Sequence, residues 1–518
     1  MVSETTILQE GVIGQLTGFD RLIFRGHLMA FFPGGAMERY LGKSGVLVKD
    51  FKDFVLRKSS QVIEAGKALA ARSGRPFEYL DGSCTRRSGD PKSEKALAIA
   101  RRDGIDRGLI CVFSTLEPCL TFQGKFSRVF NRPELVHRRR KCLHLYFYFI
   151  DPQFGLMHLR LQTWFPFQIQ VYVNGREWLS RVLDRHRIGY VRYENCFQSI
   201  DDLPAAQRFA EALAHRRLAP VLDALAGRVN PLLPEIKNAG FGGYYWCIDQ
   251  AEIATDVMFH DRAALQRVLP DLYDHALRAF SAHDVMRFLG RKLHPSFRGE
   301  IVTRLRERPE GRCVRHWAGR NSLKMYDKLT VLRIETTINN PRDFKILKQT
   351  EAEKSWRWSP MGKGVSNLWH YREIGAAANR RYLDAMDAVQ PNGEAVDMLD
   401  ALCRSRTVSG KRVPKFHPVT RRDCQIFAAA LNGSHLIHGF RNRDLATELY
   451  PRLSSTRTEL KRRSARVSRL IVQLRGHGLI AKIPSSRLYR VTKRGLRVMS
   501  AAVRYRTPDF PNLYAARP

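Results

Sequence analysis

The chain has 518 residues, with 87 Lys or Arg against 50 Asp or Glu, a formal net charge of +37. At 44% hydrophobic and 10% aromatic residues it holds enough apolar material for roughly two to four packed domains, which excludes a disordered tail protein. An excess of cations spread along the whole chain calls for a polyanion contacted over a broad surface, and the longest apolar run, Leu143 to Ile150, is too short to span a bilayer.

Met1 to Gly18 carries Glu4 and Glu10 and lacks a basic start followed by an apolar stretch, so no secretory signal and a cytoplasmic location are expected. Nine cysteines with no C-x-x-C pair suit a reducing compartment. The best thiol and imidazole set for a metal is Cys111, Cys119, Cys142 and His144, although buried structural cysteine accounts for the same residues.

Up to about residue 130 the pattern is mixed α/β, with helices near Ser59 to Arg72 and Ser93 to Asp103, a strand at Leu109 to Phe113, and a basic loop from Asp81 to Lys95. Arg138, Arg139, Arg140 and Lys141 then stand at the base of a hairpin, Leu143 to Ile150 with Leu156 to Trp164. A strand at Gln168 to Val173 and a helix from Glu177 to Arg185 follow, then a plain helical stretch from Ala205 to Val229. Cations and aromatics interleaved on strands suit single-stranded nucleic acid, or simply an ordinary sheet with a packed face. If Gln250 to Asp256 is helical, Glu252 and Asp256 share a face at a spacing that can hold a divalent cation; solvated acids are the commoner use of that pattern.

The central hairpin is the best chemical candidate. Cys313 to Trp317, Ser322 to Lys328 and Val331 to Ile338 read as strands, and a turn at Leu329-Thr330 sets Leu323 and Met325 against Thr336 and Ile334 on the buried side. The other side then pairs Tyr326 with Arg333 and Lys324 with Glu335. Tyr326 beside cations is a candidate nucleophile on a phosphodiester, its phenolate favoured by the positive neighbours, with Glu335 holding a metal or taking a proton. The alternative is a cross-strand salt bridge with a packed tyrosine. The run Tyr326-Asp327-Lys328 with Arg333-Ile334-Glu335 faintly resembles the segment around the nicking tyrosine of some rolling-circle replication initiators, but the His-hydrophobe-His motif of the HUH class is absent: His435 and His438 are separated by two residues.

Residues Lys345 to Val389 read as helical, and Gln390 to Gly393 with the basic run Arg404 to Arg422 read as linkers. No internal repeat, Walker-type loop or Gly-x-Ser-x-Gly elbow is found. The last segment, Asp423 to Tyr505, orders its elements as a winged helix does. A first helix holds Ile426, Phe427 and Ala430. A second, Asn442 to Tyr450, has Asn442 placed to cap it and Leu445 and Leu449 on one face. A third, from about Arg457 to Arg475, turns Leu460, Val467, Leu470, Ile471 and Leu474 inward and leaves Arg462, Arg463, Arg466 and Arg469 outside. Two short strands around a Pro-Ser-Ser turn carry Lys482, Arg487 and Arg490, and Thr492 can cap a final helix. This segment resembles the winged-helix domains of MarR-type regulators, which implies the fold and, as its usual use, DNA binding; protein contact is the other use. Over nearly its whole length, on runs such as Leu161 to Phe167, Val173 to Leu179 and Ser322 to Asn339, the chain also resembles a family of uncharacterised bacterial proteins, a resemblance that implies no particular activity.

The expected fold class is α/β (α+β): a multidomain body with mixed sheets plus a C-terminal winged helix-turn-helix domain. The expected units are residues 1–130 (α/β), 131–345 (basic α+β with hairpins), 346–420 (helical segment and linker), 421–506 (winged helix) and 507–518 (tail). The function expected is nucleic-acid binding, of a mobile-element or replication-associated kind, with duplex DNA at the C-terminal unit, a second nucleic-acid segment on the body and no membrane. The alternatives are a nuclease or nicking enzyme using Mg²⁺ or Mn²⁺, an RNA-binding protein, and a transcription regulator. Oligomeric state is not legible.

Overall fold

The structure is a computed structural model that describes residues 11–504 apart from 33–34, 82–90, 130, 295–296, 309–310, 350–355, 387–398, 409, 433–434, 436–438, 452–455 and 484–485. Most of the expected basic loop, the linker at Gln390 to Gly393, His438, Pro484 and Ser485 of the turn, and the tail at 507–518 lie outside the described residues.

The body begins with β1 (Val12–His27), α1 (Ala36–Lys43), α2 (Phe51–Arg72), β2 (Phe77–Tyr79), α3 (Pro91–Arg102), β3 (Gly108–Ser127), β4 (Arg132–Asp151), β5 (Gly155–Gln162), β6 (Ile169–Asn174) and α4 (Gly175–Arg185). A small hairpin of β7 (Tyr190–Tyr193) and β8 (Cys196–Ile200) and helices α5 (Leu203–Ala212), α6 (Ala219–Val229) and α7 (Leu233–Asn238) come next. The chain continues through β9 (Tyr245–Phe259), α8 (Arg262–Arg278), α9 (Ala282–Phe288), β10 (Ile301–Arg308), β11 (Gly311–Ala318), β12 (Asn321–Lys328), β13 (Val331–Ile338), β14 (Lys345–Gln349), β15 (Trp356–Pro360) and α10 (Leu368–Met386).

Eleven of these strands form one sheet in the order β10-β11-β12-β13-β9-β1-β6-β5-β4-β3-β2. Every neighbouring pair is antiparallel except β2 with β3. The order repeats itself. β1 is followed in space by β6, β5, β4 and β3, and β9 by β13, β12, β11 and β10, so each half is an opening strand joined to four consecutive antiparallel strands laid down in reverse. The opening strands β1 and β9 pair antiparallel at the centre, where Thr17 Oγ1 and Thr255 Oγ1 lie 3.0 Å apart. An antiparallel central pair with mirrored flanks is what an approximate twofold between two copies of one topology produces. The repeat is one of topology, which is why a search for recurring residues finds none.

Strand alternation divides the sheet into two chemically different faces. On one face Leu145, Phe147, Leu159, Leu161, Val171 and Val173 pack with Phe54 and Val62 of α2, and Leu323, Met325 and Ile334 pack with Tyr382 and Leu383 of α10. The turn at Leu329-Thr330 is as expected, with Leu329 at a φ of 52°. So is the β12–β13 register, with Leu323 opposite Thr336, Met325 opposite Ile334, Lys324 opposite Glu335 and Tyr326 opposite Arg333. The other face therefore presents Lys324, Tyr326, Arg333 and Glu335.

Two expectations on the secondary structure of the body fail. Gln250 to Asp256 is strand β9, not helix, because Trp246, Ile248 and the apolar residues after them are buried in the centre of the sheet and β-branched Ile253, Thr255 and Val257 suit a pleated surface. Lys345 to Val389 is not helical throughout: Lys345–Gln349 and Trp356–Pro360 pair as a hairpin before α10 begins.

The C-terminal unit has its own core, containing Phe416, Ile426, Phe427, Leu445, Val467, Ile471, Leu474 and Val498. Helices Arg421–Ala430, Asn442–Leu449 and Arg457–Gly476 precede the strand pair Ile480–Lys482 with Tyr489–Val491 and the helix Lys493–Arg504. Phe440 adds a bridge to Tyr489, and Thr492 Oγ1 accepts from Gly495 N at 2.9 Å, capping the last helix. Leu460, expected inside, is 53% exposed, and Asn442 is the first residue of its helix and not the cap. Its amide instead donates to Ser464 O and Ser468 Oγ of the next helix. The run Arg404 to Arg422 is more than a linker, since Arg406–Val408 and Lys411–Val413 pair and Phe416 is fully buried.

Candidate functional site

The charged cluster on the polar sheet face depends on three local devices. The first is a bulge in β1. Phe19 pairs with Ile253 and Leu22 with Ala251, so Asp20 and Arg21 together oppose Glu252. Two residues against one bend the strand and re-aim a side chain, and here they bring Asp20 beside Glu252. The second is the junction Asn174-Gly175-Arg176. Asn174 Oδ1 accepts from Arg176 N and Glu177 N at 2.8 and 3.1 Å and starts α4. A Cβ at Gly175 would collide with the Phe19 carbonyl oxygen. Only glycine lets the helix start this close to the bulge, which is what carries Arg176 into the sheet centre. The third is the β7–β8 hairpin, which donates a hydrogen bond from Asn195 to Asp20 and is tied to the β12–β13 turn through Gln198 and Thr330 N at 3.1 Å.

Asp256 is fully buried between two arginines that are themselves nearly so. Arg333 Nε lies 2.8 Å from its Oδ1 and Arg176 Nη2 3.0 Å from its Oδ2. Arg333 also reaches Asp20, at 3.5 Å. Glu335 accepts from Tyr326 Oη at 3.0 Å and pairs with Lys324 Nζ at 2.6 Å. Glu252 accepts from Gln250 Nε2 at 2.6 Å and lies 3.7 Å from Arg21 Nε. Four carboxyl groups therefore face four cations, Arg21, Arg176, Arg333 and Lys324. With every carboxyl ionised the network would be charge-compensated, the condition that burial at this depth favours.

Compensation is uneven. Burial pushes Glu335 up, but Lys324 and Arg333 outweigh it and hold the carboxyl at about 2. Burial and the Glu335 charge push Glu252 up to about 7, against the weaker pull of Arg21. Burial also raises Asp20, despite Arg333. At neutral pH Glu335 is the ionised carboxylate and Glu252 is poised to carry a proton. Tyr326 departs from expectation: burial and the negative Glu335 beside it push its hydroxyl well above the ordinary range, so the cations do not favour a phenolate at rest. The phenol stays protonated and donates to Glu335.

Among the described residues, the His, Cys, Asp and Glu side chains that converge as metal ligands do are Asp20, Glu252 and Glu335, with one oxygen from each within 4.8 Å of the others. The expected pair Glu252 and Asp256 is divided, because Asp256 is taken up by two arginines four residues further along β9. Cys111, Cys119, Cys142 and His144 form no such group; His144 is buried, with Nδ1 3.1 Å from the Cys142 carbonyl.

The cluster reaches solvent through the Arg21 side chain, 47% exposed, and on the side of β12 through the Lys324 side chain, 21% exposed. Past it toward the sheet edge Trp317 is surrounded by the guanidinium carbons of Arg315, Arg306 and Arg304 at 5.0, 5.8 and 5.9 Å. Elsewhere on the body, Arg138, Arg139, Arg140 and Lys141 are all exposed, on the stretch of β4 that extends past the end of its pairing with β5. In the C-terminal unit Lys461, Arg462, Arg466 and Arg469 are exposed along the third helix, and Lys482, Arg487 and Arg490 around the strand pair. Arg463 is the exception. It is half-buried, bonded to Glu459 at 3.3 Å and stacked 5.1 Å over Tyr450, and it serves the packing of its helix.

Asp20, Arg21 and Arg176 give no periodic signal, although the charged pair Asp20-Arg21 between Phe19 and Leu22, interrupting the apolar alternation of the strand, is the available hint. The chain matches no protein-family model, no curated protein sequence and no solved structure.

Proposed function

We propose that the protein binds nucleic acid, with the C-terminal unit a winged helix that sets helix Arg457–Gly476 against a duplex. The observation that carries this reading is the exposed row Arg462, Arg466 and Arg469, spaced to lie on one helical stripe and flanked by Lys461, Lys482, Arg487 and Arg490. None of these has a carboxylate partner among the described residues, so their charge is available to phosphates and to guanine edges. The ribbon Arg138 to Lys141 and the arginine-ringed Trp317 suit a second segment on the body, as a mobile-element or replication-associated factor would require. In the full-length chain, Arg462→Ala with Arg466→Ala and Arg469→Ala should weaken duplex DNA binding about tenfold or more and lower the salt slope by up to about 3. Unchanged duplex affinity would make the unit a protein-contact module. Preferential binding of structured RNA, insensitive to these changes, would favour an RNA-binding protein. Affinity carried wholly by the C-terminal unit at one defined site would favour a regulator.

A second reading is favoured by one specific observation, the Tyr326 hydroxyl donating to Glu335 with Glu252, a carboxyl pushed up to about 7 by burial and the Glu335 charge, nearby. Two carboxyls whose environments push their pKa values apart are suited to divided roles. Tyr326 Oη would attack phosphorus while its proton passes to Glu335. The P–O bond to the leaving strand breaks, and the departing oxygen takes the Glu252 proton, leaving a phosphotyrosine link. Asp20, Glu252 and Glu335 are the residues placed to hold Mg²⁺ or Mn²⁺ if the reaction uses one. Tyr326→Phe should abolish a covalent protein–DNA adduct on supercoiled or single-stranded substrate with either metal, with the melting temperature nearly unchanged. Wild-type protein that cuts no DNA or RNA substrate leaves the cluster as scaffold.

A further inference from the structure

The hairpin of β14 and β15 presents two tryptophans to solvent. Trp356 is 64% and Trp358 68% exposed, and Leu347, paired with Trp358, is 42% exposed. Residues two apart on a strand share a face, and residues directly opposite share it too. Trp356, Trp358 and Leu347 therefore form one outward face, while Ile346 on the reverse is buried in the core of the body and holds the hairpin in place. Neither tryptophan contacts another ring among the described residues. Burying indole is strongly favourable, so two such rings left adjacent in water mark a surface that something covers.

We infer that this face is a stacking platform for unpaired bases of a single-stranded nucleic acid, an inference that rests on the nucleic-acid reading above. Charge selects this occupant. Lys345, Lys348 and Arg357 are the ionisable residues within the two strands and all three are cationic; exposed Lys345 shares the tryptophan face, while Lys348 and Arg357, opposite each other, lie on the Ile346 side at the margin of the platform. Spacing supports it. Alternate residues on a strand stand about 6.6 Å apart, too far for two rings to sandwich one base of a stacked duplex and well matched to successive bases of an extended strand, each lying on its own ring. A duplex keeps its base faces covered and offers nothing to this surface.

The test uses the full-length chain, with labelled oligothymidylate and oligouridylate followed by fluorescence anisotropy, a duplex of unrelated sequence, and a thermal melt of each variant. Trp356→Ala with Trp358→Ala should weaken single-strand binding at least about 30-fold, leave duplex affinity within twofold and leave the melt in place. Trp356→Phe with Trp358→Phe should recover most of the loss, because a smaller ring still stacks. Single-strand affinity unchanged in the alanine variant overturns the inference. Wild-type protein that binds duplex but no single strand overturns it too and leaves the broader reading intact, whereas protein that binds neither removes both. Loss of self-association by light scattering, with oligonucleotide affinity retained, would reassign the face to a protein contact.

Discussion

Asp256→Asn is expected to cost about 3–5 kcal/mol of stability, the usual penalty for removing one partner of a buried ion pair. Asp256 has no exposed surface, and the arginines on either side, Arg176 and Arg333, have almost none. An amide has the same shape but supplies neither the charge nor the second acceptor, so two guanidiniums would be left in the sheet centre with Asp20 and the Ala254 carbonyl as their remaining partners. Glu252→Gln is the matched control. Its carboxyl is pushed up to about 7 and is already partly protonated at neutral pH, so the amide imitates one of the forms present and should cost less than about 1 kcal/mol. Equal losses in the two variants, measured by chemical denaturation at pH 7, would refute the assignment of charge within the cluster.

The same assignment fixes a pH dependence. Glu252 is raised from 4.5 to about 7, so the folded state binds its proton more tightly than the unfolded chain does. Stability from this group is therefore fully present below about pH 4.5 and is lost as pH rises toward about 7. Glu252→Gln should flatten that part of the stability profile. A wild-type profile that rises across this window, and is unaltered by the substitution, would place the proton elsewhere.

How far the sequence foretold this molecule follows from the range of the forces involved. The β12–β13 hairpin was legible because strict alternation and a short turn determine register locally, and Tyr326, Arg333, Lys324 and Glu335 fell on one face as a result. The pair Glu252 and Asp256 was legible as a shared face but not as a strand, since a spacing of four satisfies both helix and strand periodicity. Asp20 was not legible because a bulge obeys neither period, and Arg176 was not because its place depends on contact between Gly175 and a strand more than a hundred residues earlier. The β14–β15 hairpin is not legible as strands because its apolar residues face both ways, Ile346 inward and the tryptophans outward, which mimics no single period. Arg463 is indistinguishable in the sequence from the outward arginines because charge alone does not reveal that Glu459 and Tyr450 lie one helical turn and one loop away.

Nucleic-acid affinity should fall steeply with salt, by about a thousandfold between 50 and 200 mM, if roughly six phosphates are neutralised and their counterions released. The expectation follows from where the cations are placed as much as from their number. Arg462, Arg466 and Arg469 lie on one stripe of the C-terminal unit, Arg138 to Lys141 on a strand extension of the body, and Arg304 and Arg306 at the sheet edge beside Trp317, all of them exposed. A molecule using only the C-terminal helix would neutralise about three phosphates and show a log–log slope near 3, and one using the body as well should approach 5 or more. Charge-reversal of Arg138 to Lys141 with glutamate should then lower the slope by up to about 4 without altering the slope that the C-terminal unit contributes. Titration of one labelled duplex carrying a single-stranded extension, at five or six salt concentrations, separates these cases. A slope shallower than about 2 would mean that the large positive charge serves some purpose other than broad contact with a polyanion.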